Sequence, residues 1–195
     1  MTGSQNKKEN IILSIYRDKR TVYRLIDVSM LTGETDRISL GKKLNYYVKK
    51  GQLQNPRKGI YVKPGYDPEE LACRIYSPSY ISLDYVLGRN GIIFQYDNRI
   101  TLISYLSRRI ETRGISIQYR KMKGELLVND AGLEKPSPFV TRATPERAFL
   151  DMLYLDPDLW VDNPGALNKQ QISALLPLYR SKALTRRVNK FLDNV

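Results

Sequence analysis

Histidine is absent from this 195-residue sequence, and Cys73 is its single cysteine. Neither an intrachain disulfide nor a four-ligand Cys/His zinc site can therefore be built. The Ser-His-Asp triad and the Cys–His pair also need a histidine, so the isolated chain cannot form either catalytic group. The sequence has no P-loop, no GxGxxG and no GxSxG motif. We therefore expect a protein that is not an enzyme and that holds no cofactor or metal.

Long apolar runs are absent as well, and none approaches the length of a membrane-spanning helix. The first residues lack the apolar core of a signal peptide, since Lys7, Lys8 and Glu9 precede an apolar run of only Ile11–Leu13. We expect a cytoplasmic protein without a membrane partner. Cys73 then fits best as a small buried apolar residue.

Acidic residues are scarce in the first third of the chain. Residues 1–63 contain 14 Lys or Arg and five Asp or Glu, a net charge of +9, whereas residues 64–195 carry a net charge of only +3. An excess of this size implies an anionic partner. Its concentration in one third of the chain favours a dedicated nucleic-acid-binding module over a uniformly basic surface.

Three helices are predicted within this basic segment. The first covers 6–16, where Ile11, Ile12 and Ile15 have helical spacing. Thr21 is suited to cap a second helix that continues to about Met30 and ends at Gly33. A third helix starts at Thr35 or Asp36 and runs to Lys50, where Gly51 supplies the stop.

The third helix has two distinct faces when its residues are placed at 100° intervals. Its apolar arc consists of Leu40, Leu44, Tyr47 and Val48. The opposite face presents amide, hydroxyl and ammonium groups, which suit base edges and phosphates in a major groove. The DNA-binding residues predicted here are Thr35, Ser39, Lys42, Asn45, Tyr46 and Lys49, with Lys43 at the flank. A merely solvated lysine-rich face is the ordinary alternative for an isolated helix.

A short hairpin is predicted directly after this helix. Asn55–Gly59 is predicted to form a basic turn that leads into the strand Ile60–Val62. Arg57 and Lys58 would lie at the tip, within reach of backbone phosphates or the minor groove. A hairpin after a basic helix is typical of a winged helix-turn-helix, so we predict that residues 1–63 bind double-stranded DNA.

The rest of the chain predicts a second domain. Residues 64–79 are expected to form a hinge at Pro64–Pro68 and a connecting helix, and 80–195 a mixed α/β domain. That domain is expected to contain a helix over 80–89. Its expected strands are 100–106, 115–121, 125–128 and 139–142, with a proline-rich connection over 133–138. The predicted fold class is therefore α+β.

The segment Thr144–Asp151 gives the sharpest local signal in this second domain. Thr144 suits an N-cap, Pro145 suits the first helical turn, and Arg147 is four residues from Asp151 and can pair with it. A catalytic pair of Glu146 with Asp151 is the alternative, but helix capping and pairing already explain these residues.

The last helix, about 178–192, carries a basic stripe opposite its apolar side. The stripe consists of Lys182, Arg186 and Lys190. The default interpretation of this stripe is a solvated helix face. The more specific interpretation is a binding surface for an acidic partner or a nucleic acid.

Four segments together resemble the AbiEi family, the antitoxins of bacterial type IV toxin–antitoxin and abortive-infection systems. They are Leu44–Gly51, Arg57–Tyr61, Tyr80–Leu83 and Thr144–Asp151. No single segment is specific, but their order and spacing extend over about residues 10–155.

The resemblance implies a two-domain antitoxin. Its winged helix would repress its own operon by binding inverted repeats in the promoter. Its C-terminal domain would counteract a nucleotidyltransferase-like toxin, a step for which Lys182, Arg186 and Lys190 are the candidate surface. In type IV systems the antitoxin generally opposes the toxin's effect without a stable complex.

Two other functions stay open. The alternative is a winged-helix transcriptional regulator whose C-terminal domain senses a ligand or dimerises. A toxin gene next to this one would favour the antitoxin. A DNA-processing enzyme is disfavoured, because the sequence lacks histidine and the usual catalytic motifs.

Overall fold

The computed structural model describes residues 10–94 and 98–193. The chain divides into two compact units, Met1–Ile75 and Tyr76–Val195. Both units combine helices with a β-sheet, so the predicted α+β class is confirmed. Within the described ranges, no helix has both the length and the apolar character needed to cross a membrane.

The first unit is a small helical bundle with a sheet. In chain order its elements are α1 (Ile11–Arg17), β1 (Val22–Arg24), α2 (Leu25–Thr32), α3 (Arg37–Lys49), β2 (Gln54–Arg57), β3 (Ile60–Val62) and α4 (Pro68–Ile75). These strands form an antiparallel sheet in the order β1-β3-β2. One hydrophobic core joins the helices to the sheet. It consists of Ile12, Ile15, Tyr23, Val28, Leu40, Leu44, Leu53 and Tyr61.

The start of the second helix was predicted wrongly. Val22–Arg24 is a strand, and α2 begins only at Leu25. Thr21 caps no helix, because its hydroxyl donates to the carboxylate of Glu70 at 2.6 Å. The predicted end at Gly33 is confirmed, since this residue has the left-handed φ of +68° that favours glycine.

The first and third helices lie close to their predicted positions. Asn10 caps α1, whereas residues 6–9 of the predicted first helix lie outside the described residues. The side chain of Asp36 caps α3 by accepting hydrogen bonds from the backbone N–H groups of Ile38 and Ser39, at 3.0 and 3.1 Å. Thr35 was predicted to lie on the exposed face of this helix, but it precedes the helix in the structure.

The α4 helix belongs to the first unit and is not a free connection. The carboxylate of Glu70 accepts hydrogen bonds from the backbone N–H groups of Thr21 and Val22, at 2.9 and 3.1 Å. Arg74 forms an ion pair with Asp27 of α2. The segment 64–79, predicted as a hinge and a connecting helix, contains α4, and the division into two units falls between Ile75 and Tyr76.

The second unit places helices against a mixed sheet. Its elements are β4 (Ser79–Ile81), α5 (Asp84–Arg89), β5 (Ile100–Ser104), β6 (Arg108–Thr112), β7 (Ile115–Lys121), α6 (Gly124–Leu127), β8 (Leu133–Ser137), β9 (Val140–Ala143), α7 (Pro145–Leu155), α8 (Lys169–Leu175) and α9 (Lys182–Asp193). The strand order is β6-β7-β5-β4-β9-β8, with β4 parallel to β9 and β5 parallel to β7. The α7 helix contacts α5, α8 and α9.

Several predictions for this unit were wrong. The predicted helix over 80–89 is a strand, β4, followed by the short helix α5. The predicted strand over 125–128 is the helix α6, and the expected connection over 133–138 is the strand β8. The strands expected over 100–106, 115–121 and 139–142 are present as β5, β7 and β9.

A buried polar network holds α7 in place. Thr144 caps this helix, as predicted, by accepting a hydrogen bond from the backbone N–H of Arg147 at 3.3 Å. Arg147 and Asp151 are both fully buried and lie 3.2 Å apart. Asp151 also accepts hydrogen bonds from the hydroxyls of Tyr80, Ser82 and Tyr179, at 3.0, 2.8 and 2.6 Å. The expected structural pairing is thus confirmed.

Candidate nucleic-acid interface

The α3 helix turns a carboxylate-free face to solvent. Leu40 and Leu44 are completely buried in the core of the first unit, so the opposite side of the helix must point outward. Four predicted DNA-binding residues lie exposed there: Lys42, Asn45, Tyr46 and Lys49. No Asp or Glu occurs between Arg37 and Lys50, so this face is positively charged.

Asn45 is held by a contact with the sheet. Its side-chain oxygen accepts a hydrogen bond from the hydroxyl of Tyr61 on β3, at 3.4 Å. Burial raises the pKa of the Tyr61 hydroxyl, so this group stays protonated and able to donate. The bond leaves the amide N–H groups of Asn45 and the second lone pair of its side-chain oxygen available for groups outside the protein.

Tyr46 presents an aromatic ring beside a cation. The ring is 56% exposed, and the Nζ atom of Lys50 lies 5.7 Å from its centroid. The Tyr47 ring meets it edge-on, with the two centroids 5.5 Å apart. These contacts restrict Tyr46, so that a ring and a hydroxyl stand at a defined place on the surface.

Three of the predicted residues are placed less favourably. Lys43 is half-buried and forms an ion pair of 2.7 Å with Glu34, which neutralises much of its charge. Ser39 is also half-buried, in the first turn of α3. Thr35 is exposed but lies in the loop before the helix.

The predicted basic hairpin is formed by β2 and β3, but its turn is shorter than the predicted Asn55–Gly59. Gln54–Arg57 is strand, so only Lys58 and Gly59 lie between the two strands. The side-chain amide of Asn55 donates to the backbone carbonyls of Arg57 and Ile60, at 3.0 and 2.7 Å, and so fixes the turn from within. Gly59 has a φ of +80°, which a residue with a side chain rarely adopts. Lys58 is exposed in the turn, and Arg57 is half-buried at the end of β2. A cationic tip therefore follows α3, as expected.

Sequence reasoning missed Ile38 on the same helix. Its side chain is 75% exposed, although the residue type is apolar. Helical spacing predicts its place on the exposed face. Ile38 is four residues from Lys42 and seven from Asn45, so the three residues share one side of the helix.

The basic stripe predicted near the C-terminus is present on α9 of the second unit. Lys182, Arg186 and Lys190 are all exposed, while Leu184 and Val188 on the other side are completely buried. The neighbouring Arg187 has a structural role, because its guanidinium donates to the carbonyl of Leu153 at 3.1 Å.

Neither unit shows a metal centre in its described part. Across residues 10–94 and 98–193, no three His, Cys, Asp or Glu side chains lie close enough together to bind one ion. The one cysteine of the chain, Cys73, is buried in α4.

Comparison with known proteins identifies a structural relative. No protein-family model matches the sequence, and no curated protein sequence matches it. The crystal structure of the RV2827C protein from Mycobacterium tuberculosis is similar with a TM-score of 0.54 and 15% sequence identity. The similarity covers 94% of this chain and 75% of that protein. At this identity it supports the α+β fold of the chain and carries no information on function.

Proposed function

We propose that the first unit binds double-stranded DNA as a winged helix-turn-helix. In this arrangement α3 enters the major groove, and the β2–β3 hairpin contacts the phosphate backbone or the minor groove. The carboxylate-free face of α3 carries the proposal, because Lys42, Asn45 and Lys49 stand exposed on a helix anchored by a fully buried apolar side.

The chemistry of these groups matches that of a DNA groove. Lysine ammonium groups bind phosphate and release counterions, which supplies affinity for any sequence. An asparagine amide can bond the major-groove edge of adenine, which supplies specificity. The net charge of +9 on residues 1–63 would draw the unit toward DNA at long range.

We further propose that the whole chain is an antitoxin of the AbiEi type, acting in the cytoplasm by binding and not by catalysis. It would repress its own operon through inverted repeats in the promoter and counteract a nucleotidyltransferase-like toxin. Support comes from the resemblance of Leu44–Gly51 and Thr144–Asp151 to that family and from the division into two units.

Binding to a promoter duplex tests the first proposal. The full chain is titrated against a fluorescein-labelled duplex from its own promoter, and the Lys42→Ala/Lys49→Ala double variant is compared with it. We expect the loss of two phosphate contacts to weaken binding about ten-fold. A control, Lys135→Ala/Lys169→Ala, removes the same charge from exposed positions of the second unit and should bind like the wild type. Equal affinities for all three proteins would refute the proposal.

Co-expression with the toxin tests the second proposal. The wild-type chain should restore growth to cells that make the toxin and should silence a promoter reporter. The Lys42→Ala/Lys49→Ala variant should restore growth but leave the reporter active. If the wild type represses the promoter without restoring growth, the antitoxin proposal is wrong. A regulator whose second unit binds a ligand or dimerises would then be favoured.

A further inference from the structure

Ile38 is an apolar side chain on a polar face. It is the second residue of α3, and 75% of its surface is exposed. Ile38 does not belong to the hydrophobic core that the described residues of its unit form, so its size and apolarity contribute little to packing there. A β-branched residue also has a lower helix propensity than the alanine or lysine that would suit such a position. The fold of the first unit therefore does not account for isoleucine at this place.

Its neighbours on the helix surface are the proposed DNA contacts. Ile38, Lys42, Asn45 and Lys49 are spaced by four, three and four residues, which places them in one stripe along α3. Ile38 lies at the N-terminal end of this stripe. In helix-turn-helix proteins, it is the N-terminal residues of the recognition helix that contact base edges.

The chemistry of the Ile38 side chain restricts which DNA base it can contact favourably. Isoleucine neither donates nor accepts hydrogen bonds, so it gains nothing from the polar edges of guanine, cytosine or adenine. Thymine is the base that presents an apolar group in the major groove, its 5-methyl group. The rotamer of a β-branched side chain in a helix is largely fixed, so little conformational entropy is lost when such a contact forms.

We infer that Ile38 contacts the 5-methyl group of a thymine in duplex DNA. The inference rests on the proposed DNA-binding function. It adds that the base facing the first turn of α3 is a thymine.

Replacement of thymine by deoxyuridine tests this contact, because the exchange removes the methyl group and leaves base pairing unchanged. A preferred duplex is first selected from a random pool with the full-length chain, and each of its thymines is then exchanged in turn. Wild type, Ile38→Ala, Ile38→Val and a matched control, Met30→Ala, are titrated against each duplex. Met30 is an apolar residue of α2 with nearly the same exposure, 77%.

At one thymine position, we expect the exchange to weaken wild-type binding about four-fold, the effect of burying one methyl-sized group. Ile38→Ala should bind the thymine and uracil duplexes equally, and Ile38→Val should keep part of the difference. Met30→Ala should behave like the wild type.

Two results would overturn the inference. One is that Ile38→Ala still binds the thymine duplex more tightly than the uracil duplex at the same position. The other is that no exchange of thymine for uracil weakens binding by the wild type. Either result would leave the proposed DNA binding intact. Failure to bind any duplex would instead refute the proposed function itself, and this is seen before any variant is made.

Discussion

Arg147 and Asp151 form an ion pair on α7 in which both side chains are completely buried. The guanidinium also donates to the backbone carbonyls of Leu126 and Ala131, each at 2.7 Å. Burial alone would lower the pKa of Arg147, but the adjacent carboxylate and nearby tyrosines outweigh it and raise that pKa, so the arginine stays charged. The pair therefore ties α7 to α6 and to the loop that follows α6.

Removing one partner of this pair should strongly destabilise the second unit. Arg147→Ala leaves the Asp151 carboxylate buried without its cation, and we expect a loss of about 3–5 kcal/mol in the free energy of unfolding. Arg186→Ala, at an exposed position of α9, should change it by less than about 0.5 kcal/mol. Urea denaturation of the full chain, followed by circular dichroism, measures both. Similar midpoints for the two variants would contradict the structural role of the pair.

The hairpin tip should contribute to the salt dependence of DNA binding. If Arg57 and Lys58 each contact a phosphate, Arg57→Ala/Lys58→Ala should reduce the slope of log K against log salt concentration by about two. Promoter affinity is measured for both proteins over a series of salt concentrations. An unchanged slope would remove the hairpin from the interface.

Asn45 should affect specificity more than general affinity. Loss of a bidentate contact with adenine reduces discrimination by about 1–3 kcal/mol, so Asn45→Ala should bind promoter and random duplexes with more similar affinities. Tyr61→Phe removes the hydrogen bond that orients the amide but keeps the amide itself, and it should cause a smaller loss. Competition titrations with the two duplexes give the ratio of the affinity for the promoter to the affinity for random DNA. If Asn45→Ala loses the same amount of affinity for both duplexes, Asn45 is not a base contact.

Under the antitoxin proposal, the basic stripe on α9 is the candidate surface for opposing the toxin. Lys182, Arg186 and Lys190 are exposed, so their simultaneous replacement by glutamate should leave folding intact. We expect this variant to lose growth rescue and to keep promoter repression, because the charge change lies outside the first unit. A thermal melt confirms folding, and Lys135→Glu/Lys169→Glu provides a charge-reversed control. Full rescue by the stripe variant would exclude this surface.

Asp18 and Arg20 give the first unit a specific acid sensitivity. Hydrogen bonds of 2.9 and 2.6 Å from the Arg20 guanidinium hold the pKa of the Asp18 carboxyl at about 2, against an ordinary 3.8. Because the folded pKa is depressed, the stabilisation is complete above about pH 5 and is lost as the pH falls toward 2.

The stability difference between wild type and Asp18→Asn should therefore be largest near neutral pH and should shrink at about pH 3 and below. Urea midpoints measured at several pH values test this. A difference that stays constant down to about pH 2 would show that Asp18 is not ionised through its contact with Arg20.

Elements governed by local interactions were predictable from the sequence. The bounds of α3 follow from the 3.6-residue period, the Asp36 cap and the stop at Gly51, all of which lie within or next to the helix. The β1 strand was missed because long-range partners define it. Val22 pairs with Val62, forty residues later, and the hydroxyl that suggested a helix cap at Thr21 is bound by Glu70.

The errors in the second unit have similar causes. The β6 strand was missed because it is an edge strand in which only Ile110 is buried, so no hydrophobic alternation marks it. The β8 strand contains Pro136, which an edge strand tolerates but which is typical of a connection in sequence. The run Glu125–Val128 is too short for its period to separate helix from strand. Ile38 was missed for another reason, because its apolar side chain lacks the hydrogen-bonding groups that mark a DNA contact in sequence.

The docking of α4 has a consequence for how this chain can be recombined with others. The backbone N–H groups that open β1 are satisfied by Glu70, which lies beyond the proline-rich loop that sequence alone would choose as a junction. A gene fusion made at 64–68 would separate these donors from their acceptor and would remove Arg74 from its ion pair with Asp27. If the first unit binds DNA as proposed, we therefore expect a functional transfer of it to another protein to require the whole segment up to Ile75.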